Sequence, residues 1–471
     1  MIGSQSAAQR ATVGSLPIVA ERLEYIFGPF RLDASRELLT CKSKAIPLPG
    51  RLFALLYSLI KADGNVVSRE QLSSLIWPEG YMAESNLTQH IYMLRRILGE
   101  SARDRQFIMT VHGRGFRFAA PITLVTGVNP LRALAREGIS PAATDENPLR
   151  SGYDAFAFYS RASILLERPT AVALSTAIEH LNAALAIDPG FAPALIGIAH
   201  AYVLLAQNSY AAGDRVFPRA RDAIERALAL APLSASAHAV NASVALQARW
   251  DWAAAKRSID TAMSLNSASI MVCENAVWLY VCAGDHTQAS AELQQALLLA
   301  PYSPGLQLLL GRLLILEREY ECAIEHLSNL LETDPNFALA RQCRAEAYIL
   351  CARPQEAIGD LLFMQRDPAE DVASRLPLLC CAYAAAGDDR QATEAYEHLL
   401  VAARGAFVAR SKLAMCAIGL ERHDEALDHL EGALAAREPS LLLLHASPWF
   451  ARAASCGRLR HVMESIAFGA L

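Results

Sequence analysis

Aromatic side chains are scarce in this 471-residue chain, 7% of it against 53% for all hydrophobic residues. That imbalance argues against a β-sandwich and for helices rich in Ala and Leu. Long apolar runs are missing too: the richest, residues 305–316, is broken by Arg312 and falls short of the ~18 residues a bilayer crossing needs. The first 23 residues hold no apolar segment of the signal-peptide kind, so the expectation is a soluble, cytoplasmic protein with an irregular tail over residues 1–23. No C-x-x-C pair occurs. Nine of the ten cysteines fall irregularly between Cys273 and Cys456, and only Cys380 and Cys381 adjoin, the pattern of reduced, small core residues. Neither G-x-x-x-x-G-K-[ST] nor G-x-S-x-G is present, and His423, His429 and His445 lack ligand-like spacing. No catalytic residue, cofactor or metal ligand is therefore assigned, and an enzyme is not expected.

What is there, first, is uneven charge. The formal net charge of −5 argues against a chain that coats nucleic acid along its whole length, yet residues 85–118 carry six arginines (Arg95, Arg96, Arg103, Arg105, Arg114, Arg117) against Glu100 and Asp104. A basic patch on an acidic chain suits one localised polyanion contact.

The patterning divides the chain. Short β-prone runs at 25–27, 30–32, 38–40 and 46–48 read as a small antiparallel sheet. Leu52, Leu55, Leu56 and Leu59 then recur at helical spacing up to Gly64, and Ser68 with Gln71 has the spacing of a capping box that opens a second helix. A third helix places Leu87, Ile91, Leu94 and Leu98 on one stripe. A hairpin follows, turning at His112-Gly113-Arg114-Gly115, with Phe107, Met109 and Val111 expected on one face and Arg117 pointing away from Phe116 and Phe118. Sheet, three helices and hairpin predict a winged helix over residues 24–121. Prolines and polar residues over 122–150 predict a linker, with a short helix at 131–136 and independent motion of the two halves.

Residues 151–438 repeat themselves. Ala177, Ala220, Ala255, Ala289, Ala323, Ala357, Ala392 and Ala426 are separated by 43, 35, 34, 34, 34, 35 and 34 residues, and the residue four further on is apolar each time. Small residues at that spacing let two helices approach, and prolines such as Pro189, Pro232 and Pro301 begin the next unit. This is the tetratricopeptide period of about 34 residues, eight units in register, with the long first interval expected as a loop insertion at 208–217. Residues 439–471 read as a capping pair of amphipathic helices. The fold class is mainly α: a winged helix followed by an α-solenoid.

At about 100° per residue, the face of the third helix opposite its leucine stripe carries Ser85, Asn86, Gln89, Tyr92, Met93 and Arg96. Asn86 and Gln89 suit adenine edges, Arg96 guanine or phosphate, and Met93 a thymine methyl. His90 and Arg95 flank that face and suit phosphates. In the hairpin Arg114 suits the adjoining minor groove, Arg117 the backbone, and Thr110 and His112 complete the candidate DNA-contacting set.

The segments SREQLSSLIWPEG, ESNLTQHIYMLRRILGE and FIMTVHGRGFRFAAP, spanning residues 25–121, closely resemble the OmpR/PhoB-type winged-helix family. With tetratricopeptide repeats and no membrane span, the arrangement looks like the HilA-like branch of bacterial regulators. The resemblance implies that residues 85–98 form the recognition helix, that Gly113 and Gly115 shape the wing, and that the loop bounded by Glu79 and Glu84 touches RNA polymerase. It also implies a transcriptional activator. Two departures stand out: about 24 residues occupy the place of a receiver domain, so control by phosphorelay is not expected, and Tyr92 and Met93 replace basic residues.

The partners expected are double-stranded promoter DNA and, at the repeats, a protein or small-molecule effector in the concave groove or a second copy of the chain. The competing reading is a tetratricopeptide adaptor whose winged helix binds protein. A resemblance of residues 114–118 to an RNA-recognition octamer fails at Arg117, where Gly or Ala is needed.

Overall fold

A computed structural model describes residues 22–33, 38–42, 44–46, 48, 50–76, 84–100, 106–111, 113–127, 148–267, 269–364, 372–453, 462, 464 and 466. The N-terminal unit begins with an antiparallel sheet of β1 (Arg22–Phe27), β2 (Phe30–Asp33), β3 (Leu38–Cys41) and β4 (Lys44–Ile46). Three helices follow, α1 (Gly50–Lys61), α2 (Arg69–Ile76) and α3 (Glu84–Ile97), and then the hairpin of β5 (Ile108–Val111) and β6 (Gly115–Phe118). Period-four leucines do what their spacing predicts: Leu52, Leu55, Leu56 and Leu59 of α1 and Leu87, Ile91, Leu94 and Leu98 along α3 all enter one core. Four phenylalanines lock sheet to hairpin, with the Phe27 ring 5.1 Å from Phe118 and the Phe30 ring 5.4 Å from Phe107. The Ser68–Gln71 capping box forms in both directions, at 3.1 and 2.9 Å.

Three expectations change here. The sheet gains a fifth strand, β7 (Thr123–Gly127), antiparallel to β1, where the sequence suggested linker. The outer edge of β1 carries unpaired backbone donors and acceptors that a passing extended segment satisfies. In the hairpin, Ile108 rather than Met109 faces the core, because the register pairs Met109 with Arg117 and Ile108 with Phe118, and cross-strand partners share a face. Finally, where independent motion of the two halves was expected, they are in direct contact. Helix α4 (Pro148–Leu166) starts inside the expected linker and buries Phe156 in the winged-helix core, 4.2 Å from the Tyr57 ring and 6.3 Å from Phe53. The helix expected at 131–136 lies outside the described residues.

Helix α4 also opens the array. It pairs with α5 (Ala171–Ile187), and seven more pairs follow: α6 (Ala192–Gln207) with α7 (Gly213–Leu230), α8 (Ala235–Arg249) with α9 (Trp252–Asn266), α10 (Ile270–Ala283) with α11 (His286–Leu299), α12 (Pro304–Leu316) with α13 (Tyr320–Thr333), α14 (Ala338–Leu350) with α15 (Pro354–Met364), α16 (Val372–Ala385) with α17 (Asp389–Ala402), and α18 (Arg410–Gly419) with α19 (His423–Ala435). The repeating alanines, from Ala177 to Ala426, all sit buried on the second helix of a pair, and the residue four further on is buried each time. In α13 Leu331 closes the contact one turn later. The long first interval is mostly helix rather than a loop insertion: α7 begins a turn earlier relative to Ala220 than later second helices do relative to theirs, leaving only residues 208–212 between α6 and α7.

First helices of successive pairs touch one another, so they form the inner wall of the superhelix. Their burial agrees: α10 is buried nearly continuously from Val272 to Cys282, whereas α11 buries only Ala289, Leu293 and Ala296. The inner space is not open. Beyond α19 the chain first forms two 3-10 turns, Pro439–Leu443 and Pro448–Ala453, and of the remainder of the expected capping segment only residues 462, 464 and 466 are described, all three helical. The first turn reaches α6, α8 and α10 together and the second α18, while the Trp449 indole donates to Glu346 of α14 at 2.7 Å. A single short segment can meet first helices from the second to the eighth pair only by lying inside the superhelix.

Candidate nucleic-acid interface

Helix α3 is held by its buried stripe and by one polar network. Glu100, just past its end, accepts the backbone N–H groups of Phe107 and of Ile108, the latter at 3.0 Å. Arg95 lies 3.7 Å from the Glu100 carboxylate and donates to Ile108 O at 3.0 Å and to Thr110 Oγ1 at 2.8 Å. Arg95, expected at a phosphate, thus forms a strap between α3 and the hairpin, with charge-assisted bonds to a buried strand. Thr110 belongs to the same strap. Glu100 was absent from the expected set; its position between helix and strand, the first acid after the arginine pair, is the signal that pointed to it.

The hairpin is fixed from below as well. Val67, in the connection between α1 and α2, exchanges two backbone hydrogen bonds with Phe116 at 2.8 and 3.0 Å. Gly115 lies against this bridge with φ +142, and a Cβ there would sit 2.0 Å from Val67 O. Only glycine passes, which accounts physically for the wing glycine.

On the outer side of α3, Thr88, Tyr92 and Arg96 are exposed at four-residue spacing, Tyr92 at 63%. Arg114 and Arg117 are exposed on the hairpin, Arg117 reaching Met109 Sδ at 3.5 Å. Thr88, a residue the helical-wheel reading omitted, thus joins Tyr92 and Arg96 on the exposed side. Met93, expected on that side, is half-buried with Ile97 against the domain core. His90 is half-buried and already engaged. The side chains of Ser85, Asn86 and Gln89, together with His112 and residues 79–83, lie outside the described residues. Among the described residues no helix is long and apolar enough to cross a membrane, and no cluster of potential metal ligands occurs.

Comparison with known proteins agrees with this geometry. Residues 43–118 match the family described as transcriptional regulatory protein, C terminal, and residues 282–347 match the tetratricopeptide repeat. The transcriptional regulator HilA of Salmonella typhimurium is 32% identical over 114 residues, which cover 24% of this chain and 20% of HilA. The response regulator protein PmrA of Pseudomonas aeruginosa is 32% identical over 118 residues, 25% of this chain and 48% of PmrA. The chain therefore matches about a fifth to a half of the length of these relatives. The crystal structure of the Klebsiella pneumoniae RstA DNA-binding domain in complex with the RstA box is 24% identical, covering 20% of this chain and 96% of that one, with a TM-score of 0.19. A winged-helix domain of the OmpR/PhoB type, joined to tetratricopeptide repeats, is what this chain carries.

Proposed function

We propose that the chain is a DNA-binding transcriptional regulator that lays α3 in a major groove and the wing in the adjoining minor groove, while the repeats receive a protein signal. The observation that carries this reading is the row Thr88, Tyr92 and Arg96 on the solvent side of α3, next to exposed Arg114 and Arg117 on a hairpin welded to that helix. A helix with one buried stripe and one polar outer row has the shape a major groove admits, and arginines beside it supply the phosphate contacts that set register. Ser85, Asn86, Gln89 and His112 join the proposed contact set from their place in the sequence, and the loop 79–84 is proposed to meet RNA polymerase.

The test is selection from a random DNA pool by the full chain, followed by affinity for the selected site at several salt concentrations. Enrichment of one sequence is expected, with log affinity falling against log salt by roughly 0.9 per phosphate neutralised. Arg96→Ala should flatten that slope by about one such unit, and Gln89→Ala should lower selectivity. A pool that enriches nothing, with weak binding even at low salt, would leave the protein-adaptor reading in its place.

A further inference from the structure

The segment inside the superhelix is held differently from a permanent core. Leu441, Leu442 and Leu444 are buried where the segment meets α6, α8 and α10, yet they stand on or just past a five-residue 3-10 turn. Such turns are short and have poorer hydrogen-bond geometry than an α-helix. The segment's polar anchors are few, and one of them, Ser440 donating to Ser411 Oγ at 2.8 Å, lies within the turn. The Glu438 carboxylate accepts the N–H groups of Arg410 and Ser411, at 2.7 and 3.0 Å, and Trp449 donates to Glu346.

The wall between these anchors is imperfectly satisfied. The indole N–H groups of Trp250 and Trp278 and the Oε1 of Gln247 are buried without a partner, although Trp250, Trp278 and the leucines belong to one cluster and Arg437 lies over the Trp250 ring. Buried donors and acceptors left without a partner are uncommon in native cores, and each carries a desolvation cost that a new partner would relieve. A peptide of similar apolar character that brought carbonyls to the two indoles would bind the same wall better than the resident segment does.

We infer that residues 438–450 are a built-in, displaceable ligand of the inner groove, and that the groove's external partner is a protein segment of the same chemistry: an acidic residue, a short leucine cluster and a tryptophan. This rests on the reading of the repeats as a protein-interaction module and is independent of DNA contact. The resident segment competes with the partner for one surface, so the apparent affinity of the partner is lowered by the fraction of chains in which the groove is shut.

The test uses the full chain and a fluorescent synthetic peptide with the sequence of residues 438–453. The peptide is expected to bind the double variant Leu442→Asp, Trp449→Ala at least tenfold more tightly than the unaltered chain. Equal affinity for both, or no binding to a variant that keeps its helical circular dichroism and cooperative melt, would overturn the inference. Hydrogen exchange on the unaltered chain gives an independent readout should the variant not fold. Amides of 438–450 should exchange at least tenfold faster than those of α10, and equal rates would make the segment a fixed part of the core. A partner protein that binds the intact chain without altering exchange at 438–450 would uphold the interaction module and sink the displaceable ligand.

Discussion

Arg95 and Arg96 are adjacent in sequence and both basic, but one is tied to Ile108 O and Thr110 while the other is exposed. Their alanine variants should therefore fail in different ways. Arg95→Ala removes no free cation, so salt-dependence measurements should return an almost unchanged slope with lower affinity, as the wing loses its fixed angle to the helix. It also leaves Glu100 beside an emptied site, which should cost about 1–3 kcal/mol in denaturant unfolding. Gly115→Ala is a harsher case: a positive φ and a backbone clash at 2.0 Å should together cost on the order of 3 kcal/mol, measured as loss of DNA binding and of thermal stability in that domain. At this scale the sequence was legible where periodicity decides burial, as for Leu87, Ile91 and Leu94. It was illegible for Arg95, Met93 and Thr88, because the orientation of a flanking residue depends on which side of the helix the hairpin and core approach, and a helical wheel contains neither.

Elements show the same division. The eight helix pairs were readable because each Ala-x-x-x-apolar contact recurs about every 34 residues, and recurrence averages out the degeneracy of any one unit. Strand β7 was not readable, since Pro121 and the polar residues around it look like linker until β1 is seen to need a partner. The extra length before Ala220 became helix rather than loop because residues 213–230 continue an amphipathic pattern through Pro218, which stands inside the helix in its second turn and forgoes one i→i−4 hydrogen bond there. Helix α4 has the largest consequence: it is at once the first helix of the array and a lid on α1, with Phe156 as the shared side chain. Phe156→Ala should remove ~3 kcal/mol of packing at that junction. Differential scanning calorimetry is expected to show the winged helix melting apart from the array in the variant, and one merged transition before substitution.

In the whole molecule, contacts cross the superhelix rather than only following it. Arg168, after α4, pairs with Asp334 beyond α13 at 2.9 Å, and Arg312 of α12 donates to Asn208 after α6 at 3.0 Å. Burial first, and then the nearby Glu167 carboxylate, push the Glu274 carboxyl from 4.5 up to about 7. Burial holds the His200 imidazole down at about 4. Between the unfolded and folded values of Glu274 the folded chain keeps a proton that the unfolded chain has released, so stability falls as pH rises from about 4.5 through 7. His200 works in the other direction: the unfolded imidazole takes up a proton the folded one refuses, so stability is lost as pH falls from about 6.5 toward 4. Glu274→Gln removes only the first effect. The melting temperature of the variant should exceed that of the unaltered chain by a margin that grows between about pH 5 and pH 7.5, and a constant margin would show that Glu274 does not titrate in that range.

The Arg168–Asp334 pair and the segment threaded from α18 back to α6 also change what kind of statistical object the array is. Stacked repeats behave as a one-dimensional lattice, each site coupled to its neighbours and free to fray from either end. Here distant sites are joined, and the lattice approaches a closed ring: a defect has no open boundary to which it can migrate. Disorder introduced in the last repeat is then shared with the second, and through Phe156 with the domain that carries α3.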